Sequence, residues 1–388
     1  MPVTTITSGV QYSGIWSLAG QANAKALGTW PYPPAPHLLS WGSGLFGDLG
    51  IGNTTSYSSP KQIGSLSTWA NVSGFQYTSF ATKTDGTLWS WGFNSQGQLG
   101  LGNTTNYSSP KQIGSLTTWS KISSGQYFAL SIKTDGALWS WGSNTSGQLG
   151  LGNTTSYSSP KQIGSLTTWS KISSGGAFAA AIKTDNTLWV WGANNFGQLG
   201  LGNTTDYSSP KQVGALTNWS NIATHQNHIL ATKTDGTLWA WGRNFYGQLG
   251  LGTSGTYSTF SSPQQVGALT TWASIKTGAG STIAVKTDGT LWTWGRNANG
   301  QLGLGNTTDY SSPKQVGALT NWLNIASGGY FNLATKTDTY LWSWGQNGDG
   351  QLGLSNTTDK SSPTQVGALA TWSTIGAGFY YALAIATT

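Results

Sequence analysis

His225 and His228 are the one close pair among the chain's 3 histidines. Zinc needs a further ligand nearby, and residues three apart on a strand point to opposite faces, so the pair predicts no metal site. A second set that could do chemistry is a carboxylate series: Asp85, Asp135, Asp185, Asp235, Asp288 and Asp338. Each falls in a hairpin turn, and turns repeated this regularly bring no two acids together as an acid–base pair. No Ser-His-acid set or phosphate-cradling loop accompanies them. Six Asn-Thr-Thr triplets, at Asn53, Asn103, Asn153, Asn203, Asn306 and Asn356, match the glycosylation acceptor pattern. An asparagine at one fixed place in each copy reads better as a turn residue bonding its own backbone. The expectation is non-covalent recognition, with no catalysis, cofactor or metal.

Recognition would sit where a regular frame changes its side chains. The tetrads after successive Trp-Gly pairs read SGLF, FNSQ, SNTS, ANNF, RNFY, RNAN and QNGD, while Leu101–Gly125 and Leu151–Gly175 differ at a single position. The segments entering the third strand vary too, and the variation favours Phe, Tyr, Arg and Asn, types enriched at recognition surfaces. The fifth copy concentrates them in Arg243, Asn244, Phe245, Tyr246, His225 and His228. With Phe196 and Arg296 from the adjoining copies, these are the expected partner-binding residues.

The frame is a repeat. Trp-Gly falls at Trp41, Trp91, Trp141, Trp191, Trp241, Trp294 and Trp344, a period of about 50 residues that implies a propeller, solenoid or array. In one copy, strand candidates cover Pro160 to Ile163, Ser170 to Ser173, Phe178 to Lys183 and Leu188 to Trp191. The last two flank a turn that other copies fill with Asp-Gly, the pair suited to positive φ. Each copy thus reads as a four-stranded antiparallel meander, one propeller blade. The final copy stops short of its last strand, and Leu38 to Gly42 carries that strand at the front of the chain. The expected fold is an all-β, seven-bladed β-propeller of four-stranded antiparallel blades, closed into a ring by pairing this N-terminal strand with the C-terminal blade. Its expected extent is 38–388, behind an anchoring segment and Pro-rich linker at 1–37. Two Trp series, Trp-x-Trp and Trp69 to Trp372, read as packing between blades.

Composition agrees. Charged residues are 7% of the chain, glutamate is absent, and 55 glycines and 22 tryptophans leave a strand-and-turn chain with few helix formers. The net charge of +7 is dispersed over the copies, so no basic stripe predicts nucleic-acid binding. Without cysteine there is neither a disulfide nor a thiolate site. No run of about 20 apolar residues predicts membrane insertion, and the polar opening after Met1 carries no secretory signal.

The unit Trp-Gly-x-Asn-x-x-Gly-Gln-Leu-Gly, as at Trp91 to Gly100 and Trp241 to Gly250, resembles the repeat of the regulator of chromosome condensation (RCC1) family of seven-bladed propellers. That family includes a nucleotide-exchange factor for a small GTPase and bacterial relatives that bind and inhibit enzymes. The resemblance therefore implies a protein-binding propeller. The exchange activity transfers poorly, since only His228 keeps the family's frequent histidine and Thr78, Phe128, Phe178, Ser281, Phe331 and Tyr381 replace it. A second stretch, Tyr12 to Pro31, resembles a short segment near the ends of virion proteins in tailed bacteriophages. Ser17 would cap a helix over Leu18 to Leu27, with Trp16, Leu18, Leu27 and Trp30 as virion-anchoring residues. The leading expectation is a non-enzymatic structural and recognition protein on the phage particle surface. Its partners would be other virion proteins through the N-terminal segment and a host surface protein or glycan through the propeller. The alternative is a free RCC1-like protein-binding inhibitor or regulator.

Overall fold

The computed structural model describes residues 36–387, which form twenty-eight strands, β1 to β28 in chain order. They make seven four-stranded antiparallel sheets, the blades of a propeller. The first complete blade runs β3 (Trp69–Phe75), β4 (Thr78–Lys83), β5 (Leu88–Gly92) and β6 (Tyr107–Gln112). In every blade the strand that starts at the Trp69-type tryptophan is innermost and lines the central channel.

The blades differ in phase from the sequence expectation. The strand beginning at Tyr157, expected to open its own copy's blade, pairs with the preceding Leu138–Gly142 as an outer strand. The long loop after Trp-Gly folds back antiparallel, and the chain then crosses to the next blade through Gly-Ser-Leu-Thr-Thr. The ring consequently closes two strands to two. β27 (Trp372–Ala377) and β28 (Tyr381–Thr387) supply the inner half of the last blade; β1 (Pro36–Gly42) and β2 (Tyr57–Gln62) supply the outer half. β1 and β28 pair in register from Pro36↔Thr387 to Gly42↔Tyr381, so the closing strand begins at Pro36.

Tryptophan joins each blade to the one before it. The indole N–H of Trp91 donates to the carbonyl of Asp48 (2.9 Å), that of Trp141 to Gln98 (2.9 Å), and so around to Trp41, which reaches Gln351 (2.9 Å) across the closure. These indoles are fully buried, and each packs edge-on against a tryptophan of the second series, as Trp119 and Trp141 do at 6.0 Å. Gly100 must be glycine in this arrangement, because its φ is +74° and a Cβ would lie 2.7 Å from the Trp141 Nε1. The hairpin turns hold φ near +60–80°, which Gly86 takes freely and Asn186 takes at 61°.

The dispersed lysines have a structural use. Lys336 lies 3.7 Å over Trp342 and 4.9 Å over Trp322, and Lys183 and Lys233 repeat the contact in their blades. Burial lowers the pKa of all three. The asparagines of the Asn-Thr-Thr triplets act as turn residues: Asn103 Oδ1 accepts the Thr105 N–H at 3.0 Å. The expected helix and anchoring residues Trp16, Leu18, Leu27 and Trp30 lie outside the described residues.

Candidate functional site

Two loops of each blade emerge at the same end of the ring: the turn between its two inner strands and the tetrad after Trp-Gly. Pairing of Thr78 with Gly92 sets them side by side. In six of the seven tetrads the second residue is an anchoring asparagine. Asn94 donates from Nδ2 to the carbonyls of Asn103 (3.1 Å) and Thr105 (2.9 Å), and its Oδ1 accepts the Leu99 N–H at 2.9 Å. Asn244 does the same work, donating to the Thr253 carbonyl (2.9 Å) and accepting from Leu249 (3.1 Å), and is fully buried. Its expected place on a partner surface is therefore corrected: it holds the loop while its neighbours face out.

Those neighbours form one continuous arc. Tyr127 meets Phe93 (6.2 Å between ring centres), Phe93 meets Phe46 (4.8 Å), and Phe46 meets Tyr77 (4.7 Å). Tyr77 stacks on Tyr380 (6.0 Å), Tyr380 packs at a tilt against Phe379 (4.7 Å), and Phe379 stands edge-on to Tyr330 (5.3 Å). Arg296 bridges Tyr330 (4.8 Å) to Tyr246 (5.0 Å). Arg243 then lies over Phe245 (4.1 Å), with Phe196 (5.7 Å) and Tyr246 (5.8 Å) beside it. The small residues Gly176, Ala177, Thr145 and Ser146 leave the arc open between the blade of Tyr127 and the blade of Phe196, while the blade of Arg296 contributes no ring. Most of these side chains are half-buried, so each presents one face to solvent from a packed position.

Of the residues singled out in the sequence, Arg243, Phe245, Tyr246, Phe196 and Arg296 lie together on this arc. His225 and His228 do not present a surface. His228, 2% exposed at the start of the strand His228–Lys233, sits under the arc; burial and then the charge of Arg243 lower its pKa to about 3. His225, 5% exposed, spans the channel mouth between Phe75 (4.7 Å) and Phe379 (6.0 Å), and burial and then His228 lower its pKa to about 3. Both imidazoles are neutral at physiological pH. His228 heads a strand whose two faces pack on neighbouring blades, and His225, in the turn before it, is packed between the Phe75 and Phe379 rings. The sequence list missed Phe46, Tyr77, Phe93, Tyr127, Tyr330, Phe379 and Tyr380; the signal was an aromatic in nearly every tip, dispersed over six copies.

The charge on this face is sparse. Arg243 and Arg296 are its cations, for the lysines stand on strands, and Asp349 lies near the Tyr77–Tyr380 pair. Burial, and then nearby phenol and carboxyl groups, raise the pKa of both tyrosines. The arrangement suits an apolar, aromatic contact and offers no nucleophile or acid–base pair.

Comparison with known proteins follows the fold. The model of the regulator of chromosome condensation (RCC1) repeat matches residues 85–132, 135–182, 185–232, 235–285, 288–335 and 338–385. A second model of the same repeat matches 119–148, 169–198 and 272–301. No curated protein matches the sequence. Among solved structures, Prp20p of Saccharomyces cerevisiae, described with its binding to Gsp1p and histones, superposes with a TM-score of 0.84 at 18% identity, covering 92% of each chain. Human WBSCR16 gives 0.81 at 20% identity, over 91% of this chain and 99% of its own. Yeast RCC1 bound to Kap60 gives 0.82 at 17% identity, over 100% of this chain and 97% of its own. At these identities the likeness is one of fold.

Proposed function

The chain belongs to the regulator of chromosome condensation (RCC1) repeat family, and on that premise we propose that it is a non-enzymatic protein-binding propeller that meets its partner through the aromatic–arginine arc. The observation carrying this reading is the continuity of the arc from Tyr127 to Phe196 over neighbouring blades. Aromatic and arginine anchors already packed in place lose little entropy on binding, which is how few residues come to dominate an interface. A protein partner fits better than a nucleic acid, because two arginines neutralise too few phosphates to hold a polyanion. Prp20p is described with its binding to Gsp1p and histones, and yeast RCC1 with bound Kap60, which favours the free binder or regulator over the virion reading. The virion setting rests on the Tyr12 to Pro31 resemblance alone.

The test is replacement of Tyr246, Arg296 and Tyr330 by alanine in the full chain. Partners captured by crosslinking to the wild type should lose roughly 30-fold or more in affinity, the equivalent of one strong anchor. Leu319→Ala, on the exposed rim away from the arc, should leave the same partners bound. Partners retained by the triple variant and lost by the rim variant would move the site off this face.

A further inference from the structure

The centre of the ring encloses a cavity of about 220 Å3. Phe75, His225 and Phe379 close it on the side of the arc. Part of its wall is self-satisfied: the hydroxyls of Ser73, Ser123 and Ser173 accept the backbone N–H of Ser124 (3.1 Å), Ser174 (2.9 Å) and Thr224 (3.0 Å) in the next blade. Further round, the serine position is held by Ala223, Lys276, Ala326 and Gly376, which have no hydroxyl to offer the amides of Thr277, Ser327, Ala377 and Gly74.

Lys276 is the sole charged side chain on the cavity wall, and no carboxylate lines it. Its side chain is exposed to the solvent of the channel. Enclosure without a counter-charge lowers its pKa. Among the described residues the ammonium has no hydrogen-bond partner. The Thr277 hydroxyl and Nδ1 of His225, which line the same cavity, are buried without partners. A channel cation without a counter-charge, beside buried polar groups without partners, makes a wall that a hydrogen-bond-accepting ligand would satisfy.

We propose that this cavity binds a small oxyanion, a phosphate or carboxylate group, held by the Lys276 ammonium with donors from Thr277 and His225. A neutral imidazole supplies an N–H without adding charge, and the unmatched amides add further donors. An anion is the ligand that satisfies a wall with surplus donors and one uncompensated cation. Lys121 and Lys171 stand two residues before Ser123 and Ser173 on the inner strands, on the side away from the aromatic roof, where their charge draws anions toward the channel.

The test uses the full chain titrated with inorganic phosphate and, separately, with acetate, at ionic strength balanced with sodium chloride. Calorimetry should show saturable binding of at least one of them, and the preferred anion identifies the group. Lys276→Ser is the decisive variant, since other blades already carry serine at this position and the fold accepts it. It should weaken binding about tenfold or more, the loss expected for one charge-assisted hydrogen bond. A melting temperature that rises with phosphate in the wild type should stop doing so in Lys276→Ser. Saturable binding of neither anion, or equal binding by the variant, overturns the proposal.

Discussion

Asp48 stands where the other copies of the repeat carry glutamine, as at Gln98 and Gln148. Its carbonyl does the shared work of accepting the Trp91 indole N–H, but its side chain is fully buried with Oδ2 unpartnered. Burial raises its pKa to about 8, with a smaller push from Asp349. The folded chain therefore keeps a proton that the unfolded chain releases above the ordinary value of 3.8. Stability falls as pH rises between those limits, by up to about 1.4 kcal/mol per pH unit, and the penalty is complete above pH 8. Asp48→Asn removes the titration while keeping the size. Its melting temperature should match the wild type near pH 4 and exceed it increasingly up to pH 8; a constant gap would show that Asp48 ionises freely in the fold. The two buried histidines behave oppositely. Their pKa near 3 leaves them uncharged across this range, so they add no slope of their own above pH 6.5.

The blade is the element in which these residues act, and its tightest joint is the glycine under the indole. Gly100→Ala combines a left-handed φ of +74° with a Cβ 2.7 Å from the Trp141 Nε1, so the indole must move and its bond to Gln98 breaks. The expected cost is roughly 2–4 kcal/mol, read by urea denaturation. Alanine at Gly114, where nothing lies within 4 Å and only the φ of +59° opposes it, should cost about 1–2 kcal/mol. Much of the blade was legible in the sequence. The Trp-Gly period gives the number of blades, and the Asp-Gly turns give the hairpin between the middle strands. The phase was not legible, because the outer strand's partner depends on how a fourteen-residue loop, Ser143 to Ser156, folds back. Nor was the arc. Phe93 and Tyr127 are distant words in the text of the chain, and only neighbouring blades bring their rings to 6.2 Å. Asn244 and His228 were misread for a related reason: their types suit recognition, but loop anchoring and strand parity turn them inward.

At the scale of the whole ring, closure depends on β28. Removing Tyr381–Thr388 takes away the strand between β27 and β1, leaving two blade halves with bare edges. The truncated chain should lose its single cooperative melt or aggregate on heating; an unchanged melting temperature would mean that the ring does not depend on this strand. The same closure sets a timetable for making the protein. β1 leaves the ribosome first, and its partner follows only after the intervening residues 43–380 have been translated. At about 5–20 residues per second, β1 and β2 wait roughly 17–70 s for their mates. During that interval their apolar Leu-Leu-Ser-Trp edge meets newly made strands such as Phe-Ala-Leu-Ser-Ile-Lys, near copies of which recur in each blade. A nascent chain that accepts one of these early partners completes a smaller ring with blades left over, so the repetition that makes the propeller easy to specify also makes its synthesis a race between the right last strand and several good imitations.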